Sequence, residues 1–243
     1  MDPRIYDELA EQEDRHWWFC ARRAIAASLL KRFKLPSNAH ILDAGCGSGG
    51  NLPMLAPFGE LYAFEMNDAA RARAQSRAIG QVAVGRLPDG IPFDDRRFDL
   101  ITLFDVLEHI EDDRAALTAL ASRLKPGGML LLNVPAFQFL FSRHDRLHHH
   151  YRRYGWDDLK RKVEAAGLDI RLMNYWNFWL FPAAVVVRLI DRLRPSPGGA
   201  PGAKTPPVML NKLLVAIVSG ERFLIPYLKL SFGTSLILIA RKP

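Results

Sequence analysis

Residues 41–52 read Ile-Leu-Asp-Ala-Gly-Cys-Gly-Ser-Gly-Gly-Asn-Leu (ILDAGCGSGGNL). An apolar run ends in Asp43, and Gly45, Gly47, Gly49 and Gly50 then crowd together. Glycine loses more freedom on folding than any other residue. Such crowding marks backbone that must bend unusually or lie close to something bound. An apolar run followed by a glycine turn and a short helix places that ligand beyond the carboxyl end of a buried strand. Gly45, Gly47 and Gly50 formally satisfy the dinucleotide spacing G-x-G-x-x-G, and Glu65 lies where ribose hydroxyls could be accepted. Asp43 argues the other way. A carboxylate directly before the loop would repel a pyrophosphate but would suit a cationic ligand such as an amine or a sulfonium. The G-x-x-x-x-G-K-[ST] pattern of a P-loop does not occur.

Outward from this loop, strands are expected at 39–43, 60–65, 81–85, 98–104, 129–135, 168–174 and 234–242. The run FDLITLF (98–104) is apolar enough to be buried on both faces. Asp68 is expected to cap an Ala/Arg-rich helix, and a helix over 111–124 should stop at Lys125-Pro126-Gly127-Gly128. Trp156 or Asp157 opens another helix, which ends at Gly167. Residues 3–33 read as two helical pieces broken around His16-Trp17-Trp18-Phe19. Strands alternating with helices imply an α/β fold whose mainly parallel sheet is covered on both sides.

The whole chain bounds this reading. Its 243 residues suffice for one sizeable domain with an embellishment, and 49% apolar with 24% charged residues is ordinary globular composition. Two cysteines, Cys20 and Cys46, offer no disulfide framework and fit a reducing compartment. The acidic start MDPRIYDELAEQEDRH has no apolar core, so no signal peptide is expected. No uninterrupted apolar run is long enough for a clean transmembrane helix. The net charge of +7 gathers mainly within 143–194 and could attract an anionic substrate or membrane surface. No helix-turn-helix, zinc or RNA-binding signature is present, so no nucleic-acid partner is expected.

ILDAGCGSGGNL resembles motif I of the class I S-adenosylmethionine-dependent methyltransferases. Later stretches agree in order and spacing: Glu65 ending the second strand, LPDGIPFDDRRFDLITLFDVLEHI, and LKPGGMLLLNVP. The resemblance covers roughly 38–174 plus the final strand. It implies a Rossmann-like, doubly wound, seven-stranded sheet with the last strand antiparallel, and S-adenosyl-L-methionine as cofactor. It places Gly45, Cys46, Gly47, Gly49 and Asn51 along the methionine part of the cofactor and Asp43 near its amino group. Glu65 would take the ribose hydroxyls and Met66 would flank the adenine. The family often has an Asp after the third strand. This chain has Gly85-Arg86-Leu87 there, so backbone groups of Arg86 and Leu87 are the expected substitute. Phe104 and Asp105 would line the methyl-donor pocket.

Methyl transfer to oxygen, or to a protonated amine, also requires removal of a proton, and histidine is the usual agent. His109, in LEHI, follows the fourth strand at the pocket edge. His144, His148, His149 and His150 follow the fifth, in SRHDRLHHHYRRYGWDDL. Their spacing does not make a regular metal site, and no metal is expected. Tyr151, Arg152, Arg153 and Tyr154 could clasp an anionic group of the acceptor. Trp17 and Trp18 belong either to a lid over the acceptor or to a core anchor. Residues 1–37 are thus read as an N-terminal helical lid, 38–174 with 233–243 as the cofactor-binding core, and 175–232 as an apolar helical insertion with a linker at 194–207. Aromatic and basic residues in that insertion suit a membrane interface. The expected function is methyl transfer to oxygen or nitrogen of a small-molecule or lipid-like acceptor. It would occur in the cytoplasm, either free or peripherally at the inner face of the membrane, by a monomer or homodimer. The alternatives are a NAD(P)-dependent oxidoreductase and a non-catalytic cofactor-binding scaffold.

Overall fold

The structure, a computed structural model, describes residues 10–193 and 205–243. Residues 3–9 of the expected N-terminal helix and most of the expected linker fall outside them. Seven strands make one sheet: β1 (His40–Ala44), β2 (Glu60–Glu65), β3 (Gln81–Val84), β4 (Phe98–Phe104), β5 (Leu124–Pro135), β6 (Asp169–Trp176) and β7 (Ser235–Arg241). Their spatial order is β3-β2-β1-β4-β5-β7-β6. β1 pairs in parallel with β2 and β4, as β4 does with β5, while β7 enters antiparallel between β5 and β6. The central strands are apolar on both faces because helices cover both; Ile41, Leu42, Leu100, Ile101, Leu130 and Leu132 are fully buried. The order reverses at β1, so the carboxyl ends of β1 and β4 open a crevice there.

The helices are α1 (Trp17–Phe33), α2 (Leu52–Leu55), α3 (Asp68–Ser76), α4 (Asp113–Arg123), α5 (Arg143–Leu147), α6 (Trp156–Ala165), α7 (Phe181–Leu193) and α8 (Val208–Gly220). Several boundaries differ from the sequence reading. The N-terminal break lies before Trp17, because the His16 side chain caps α1 by accepting from Trp18 N. Asn67, one residue before Asp68, caps α3 through Ala70 N. Asp112 caps α4, so that helix starts later than expected. The Lys125–Gly128 stop does end α4, but it continues as sheet: Gly127 N donates to Lys242 O and Lys242 N to Gly128 O, each at 2.9 Å. β6 runs on to Trp176, so the insertion starts after the strand rather than at Tyr175.

α1 shows how a helix stripe sets the site. Ala21, Ile25, Ala26, Leu29 and Leu30 are buried at helical spacing, and Arg22 lies on the same stripe. Its guanidinium is therefore carried under the helix toward the sheet edge. The insertion is tied down at its ends. Buried Glu221 accepts from the backbone N–H groups of Asn177, Phe178 and Trp179. Asn174 donates to Ile225 O and Leu228 O and accepts from Leu230 N. Asn211 on α8 accepts from Trp17 N at 2.9 Å and donates to Arg15 O. Between these ties, both helices keep large apolar side chains in solvent. They are Val186, Val187, Leu189 and Ile190 on α7, and Val208, Met209, Leu210 and Leu213 on α8. No helix among the described residues is long and apolar enough to cross a membrane.

Candidate active site

At the end of β1 the chain turns sharply. The N–H groups of Gly45 and Cys46 both donate to Phe64 O at 3.0 Å, folding the glycine loop against the end of β2. Gly45 has φ +71°, and a Cβ there would stand 2.8 Å from Val106, so the position excludes other residues on two counts. Gly47 has φ +56°, and a Cβ there would meet nothing within 4 Å. It borders open space rather than packed protein. Its N–H donates to Glu65 Oε2 at 3.0 Å, and Glu65 Oε1 accepts from Asn67 N at 2.9 Å, which fixes the carboxylate at the loop's rim.

Asp43 is 1% exposed. Its Oδ1 accepts from Thr102 Oγ1 at 2.7 Å, while Oδ2 is buried without a hydrogen-bond partner. Burial pushes its carboxyl up to about 6, against the Thr102 hydrogen bond and the charge of Arg22. Such a group is incomplete without a cationic donor. Beyond Glu65, Met66, Val84, Gly85, Arg86, Asp89 and Gly90 line a cleft of about 620 Å³. Met66 and Arg86 both border this cleft. Arg86 N, however, is taken by Gly90 O at 3.2 Å, which removes that N–H from the expected substitute contact. Cys46 is buried, and burial raises its thiol far above the ordinary range. It serves as packing beneath the loop.

The Asp43 shift carries a pH consequence. The folded chain keeps the proton more tightly than an unfolded one, whose value is near 3.8. Stability from this group is full below the lower value and is lost as pH rises through about 6. Asp43→Asn should therefore flatten that part of the ligand-free stability curve. The check is the difference in melting temperature between variant and parent across the window. A constant difference would show that Asp43 is ionised throughout.

A second set of residues stands beside the first. Arg22 forms a buried ion pair with Asp105 and donates through Nη2 to Asn51 Oδ1 at 3.1 Å. Its guanidinium lies 5.0 Å from the Trp18 ring centroid and 5.1 Å from that of Phe104. Asp105, at φ +55°, also accepts from Asn133 Nδ2 at 2.9 Å, and Asn133 Oδ1 accepts from Trp176 Nε1 at 2.7 Å. Trp18 packs on Trp176 with centroids 5.4 Å apart. At the N-terminal side, Glu13 accepts from Ser48 Oγ and from Arg77 Nη2, both at 2.7 Å, and so clamps the glycine loop. Glu13, Arg22, Asn133 and Trp176 were not among the residues expected here. Two carried a signal in sequence: Arg22 interrupts an apolar helix stripe, and Asn133 interrupts an apolar strand.

The histidines divide. His109 and His150 meet edge to face, ring centroids 4.5 Å apart, beside the buried Glu108. Burial, then the charges of His150 and His148, lowers His109 to about 3. His148 lies between His144 and His150, its ring tilted against both, and is lowered to about 4, again chiefly by burial. His144 is half-buried, and desolvation lowers it as well. His149 is exposed, with φ +57°.

The expected anion clasp does not form. Arg153 is buried, donating to Asp145 Oδ1 at 2.8 Å and to Ala136 O. Tyr154 is fully buried, with its hydroxyl donating to Asp113 Oδ2 at 2.9 Å. Arg152 pairs with Asp113 and donates to Glu111 O, and Tyr151 is exposed. Buried carboxylates at Asp113 and Asp145 captured the cations, because an unpaired buried charge is costly. These residues fasten the loop after β5 to the domain. Of the expected acceptor-side residues, Trp18 packs on Trp176 and on the Arg22 guanidinium, whereas Trp17 N is occupied by Asn211.

A family profile described as "Methyltransferase domain" matches residues 16–172, which hold most of the sheet and most of the site, though not Glu13 or Trp176. The chain belongs to the methyltransferase-domain family. Its curated relatives include a ubiquinone biosynthesis O-methyltransferase of Coxiella burnetii, 27% identical over 142 residues, covering 52% of this chain and 61% of that protein. A demethylmenaquinone methyltransferase of Lactiplantibacillus plantarum is 32% identical over 127 residues, covering 48% and 50%. The matched region therefore spans between half and two thirds of each relative. Among solved structures, an S-adenosylmethionine-dependent methyltransferase from Clostridium acetobutylicum aligns with TM-score 0.61 and 14% identity, covering 98% of this chain and 96% of that one. The seven-stranded sheet with β7 antiparallel is the fold of the S-adenosylmethionine-dependent methyltransferases, as the resemblance of the glycine loop implied.

Proposed function

We propose that this chain transfers a methyl group from S-adenosyl-L-methionine to an oxygen or nitrogen of a small, apolar acceptor. The observation that carries the donor side is Asp43. It is a buried carboxylate with one oxygen unpartnered, beside a glycine loop whose Gly47 borders open space, with Glu65 at the next strand end. A cationic amino acid bearing a ribose suits this donor set, and an anionic pyrophosphate does not. In this reading Asp43 faces the amino group, the Gly45–Gly49 backbone follows the methionine part, Glu65 accepts from the ribose, and Met66 covers the adenine. The cofactor, when bound, supplies an activated methyl group on a sulfonium.

The chain's own residues then do positioning and proton work. Trp18 and Phe104 flank the Arg22 guanidinium and Trp176 packs behind Trp18, an apolar cluster beside the loop that keeps water out. His109 stays neutral down to about 3, so at neutral pH its imidazole keeps a lone pair for a ligand or a hydrogen bond and holds a proton only weakly. The two curated relatives are named for quinone methylation. An acceptor of that apolar kind accords with these aromatic side chains and with a second aromatic group, Phe137, Phe181 and Phe232, packed at the start of α7.

The donor assignment is tested by thermal melting. A ligand bound only by the folded chain stabilises it by about 2.7 kcal/mol at a hundredfold excess over its Kd. S-adenosylmethionine, or its demethylated product, should raise the melting temperature, and NAD should not. Gly47→Val should erase the shift by filling the open space at the loop. Stabilisation by NAD alone would overturn the assignment in favour of an oxidoreductase.

The exposed apolar faces of α7 and α8 favour a peripheral contact with an anionic membrane, a surface from which an apolar acceptor could enter. Arg222 and Lys229 lie in the segment that follows α8 and add positive charge to the insertion. Sedimentation with anionic vesicles should remove the protein from solution, and a Val186→Glu, Ile190→Glu pair of substitutions should release it. Equal sedimentation of parent and variant would show that these faces do not touch the lipid.

A further inference from the structure

Among the described residues, Glu108, His109 and His150 present ligand atoms that all lie within 4.8 Å of one another. Glu108 is 1% exposed, and neither carboxylate oxygen has a hydrogen-bond partner. A buried carboxylate left this way is expensive unless something positive completes it. The neighbouring cations are committed elsewhere: Arg22 to Asp105, and Arg153 to Asp145. His150 is oriented from behind, since its Nδ1 stands 3.0 Å from Asp145 Oδ1. That bond leaves Nε2 as the free ligand atom. A carboxylate holding the far nitrogen of a metal-binding imidazole is the usual supporting arrangement. Asp145 is in turn held by Ser142 N at 2.8 Å and Arg153 Nε at 2.8 Å, so the imidazole is firmly placed. Tyr151 N donates to Glu108 O at 2.8 Å, locking the His150 loop to the turn that carries Glu108 and His109.

We propose that Glu108, His109 and His150 form a three-ligand site for a divalent transition-metal cation, with an open coordination position toward Asp105 and the methyl-donor pocket. Two imidazoles and one carboxylate are a donor set of the zinc type, and three protein ligands with a free position are the mark of a reactive rather than a structural site. Metal–ligand bonds of about 2.0–2.2 Å require each ligand atom to close in by no more than about 1 Å. No metal was expected from the sequence because only the spacing within His144–His150 was weighed there. The site instead joins two loops about forty residues apart, after β4 and after β5.

Its role rests on the methyl-transfer reading. A hydroxyl oxygen of the acceptor takes the open position, where the cation lowers its pKa and its proton passes to solvent water. The oxygen then forms its bond to the methyl carbon while the carbon–sulfur bond breaks and its electron pair stays on sulfur.

The test begins with the full-length protein stripped by a chelator, dialysed, and reloaded separately with zinc, manganese or cobalt(II) chloride. Metal per chain is measured by plasma mass spectrometry, and the cobalt form by its visible absorption. The expected result is one equivalent per chain and a raised melting temperature. Affinity should fall at least about tenfold in Glu108→Gln and His150→Ala and stay unchanged in His149→Ala, whose side chain lies outside the group. Donor-induced stabilisation is recorded on the same metal-free samples, and it also shows that each variant is folded. A parent protein that responds to the donor yet retains no stoichiometric metal would overturn the site and leave methyl transfer standing. Equal metal binding by folded Glu108→Gln would overturn it as well. Metal binding without any donor response would uphold the site and overturn the methyl-transfer reading.

Discussion

Replacement of His109 or His150 by alanine is expected to lower methyl-transfer turnover by about two to four orders of magnitude, the scale of losing a group that manages the acceptor's proton. The two rings meet at 4.5 Å beside Glu108, at the turn after β4 that also carries Asp105. His149→Ala should stay within a few-fold of the parent, because that side chain is exposed. Donor affinity should hardly move in any of the three, since the glycine loop and Glu65 are untouched. The measurement is single-turnover rate with saturating donor, alongside donor affinity by calorimetry. If both His109→Ala and His150→Ala keep the parent rate, the acceptor ionises without help and the histidine pair has no part in the chemistry.

The second large effect concerns stability. Asp145 is fully buried and accepts from Ser142 N, Ser142 Oγ, Arg153 Nε and His150. Burial alone would raise its carboxyl, but the His150 and Arg153 interactions outweigh it and hold the group well below the usual range. Asp145→Ala leaves a buried arginine without its anion, a change that costs about 3–5 kcal/mol. For a domain of this size that corresponds to a fall of about 10 °C or more in melting temperature. Because the native carboxylate is favoured over the unfolded one, its stabilisation is present at neutral pH and is lost as pH falls through the native value. The difference between Asp145→Ala and the parent should therefore narrow on acidification. A variant that melts with the parent at neutral pH would show that Arg153 finds another partner.

Much of this protein could be read along the chain, because the relevant physics is local. Strand and helix periodicity report which faces are buried. The glycine loop reports backbone that other residues cannot adopt. Those features led to the sheet and, by family resemblance, to the antiparallel β7. What the sequence misplaced were several side chains whose partners lie far away along the chain. Arg152, Arg153, Tyr151 and Tyr154 looked like an anion clasp, yet Asp113 and Asp145 claim both arginines and Asp113 claims Tyr154. Arg22 reaches Asp105 across 83 positions, and Trp176 reaches Asn133 across 43. A run of histidines could not say which of its members would face Glu108. Local sequence sets conformation through sterics and hydrophobic pattern. A buried charge takes whichever opposite charge the fold brings within reach, and only the tertiary structure decides which one that is.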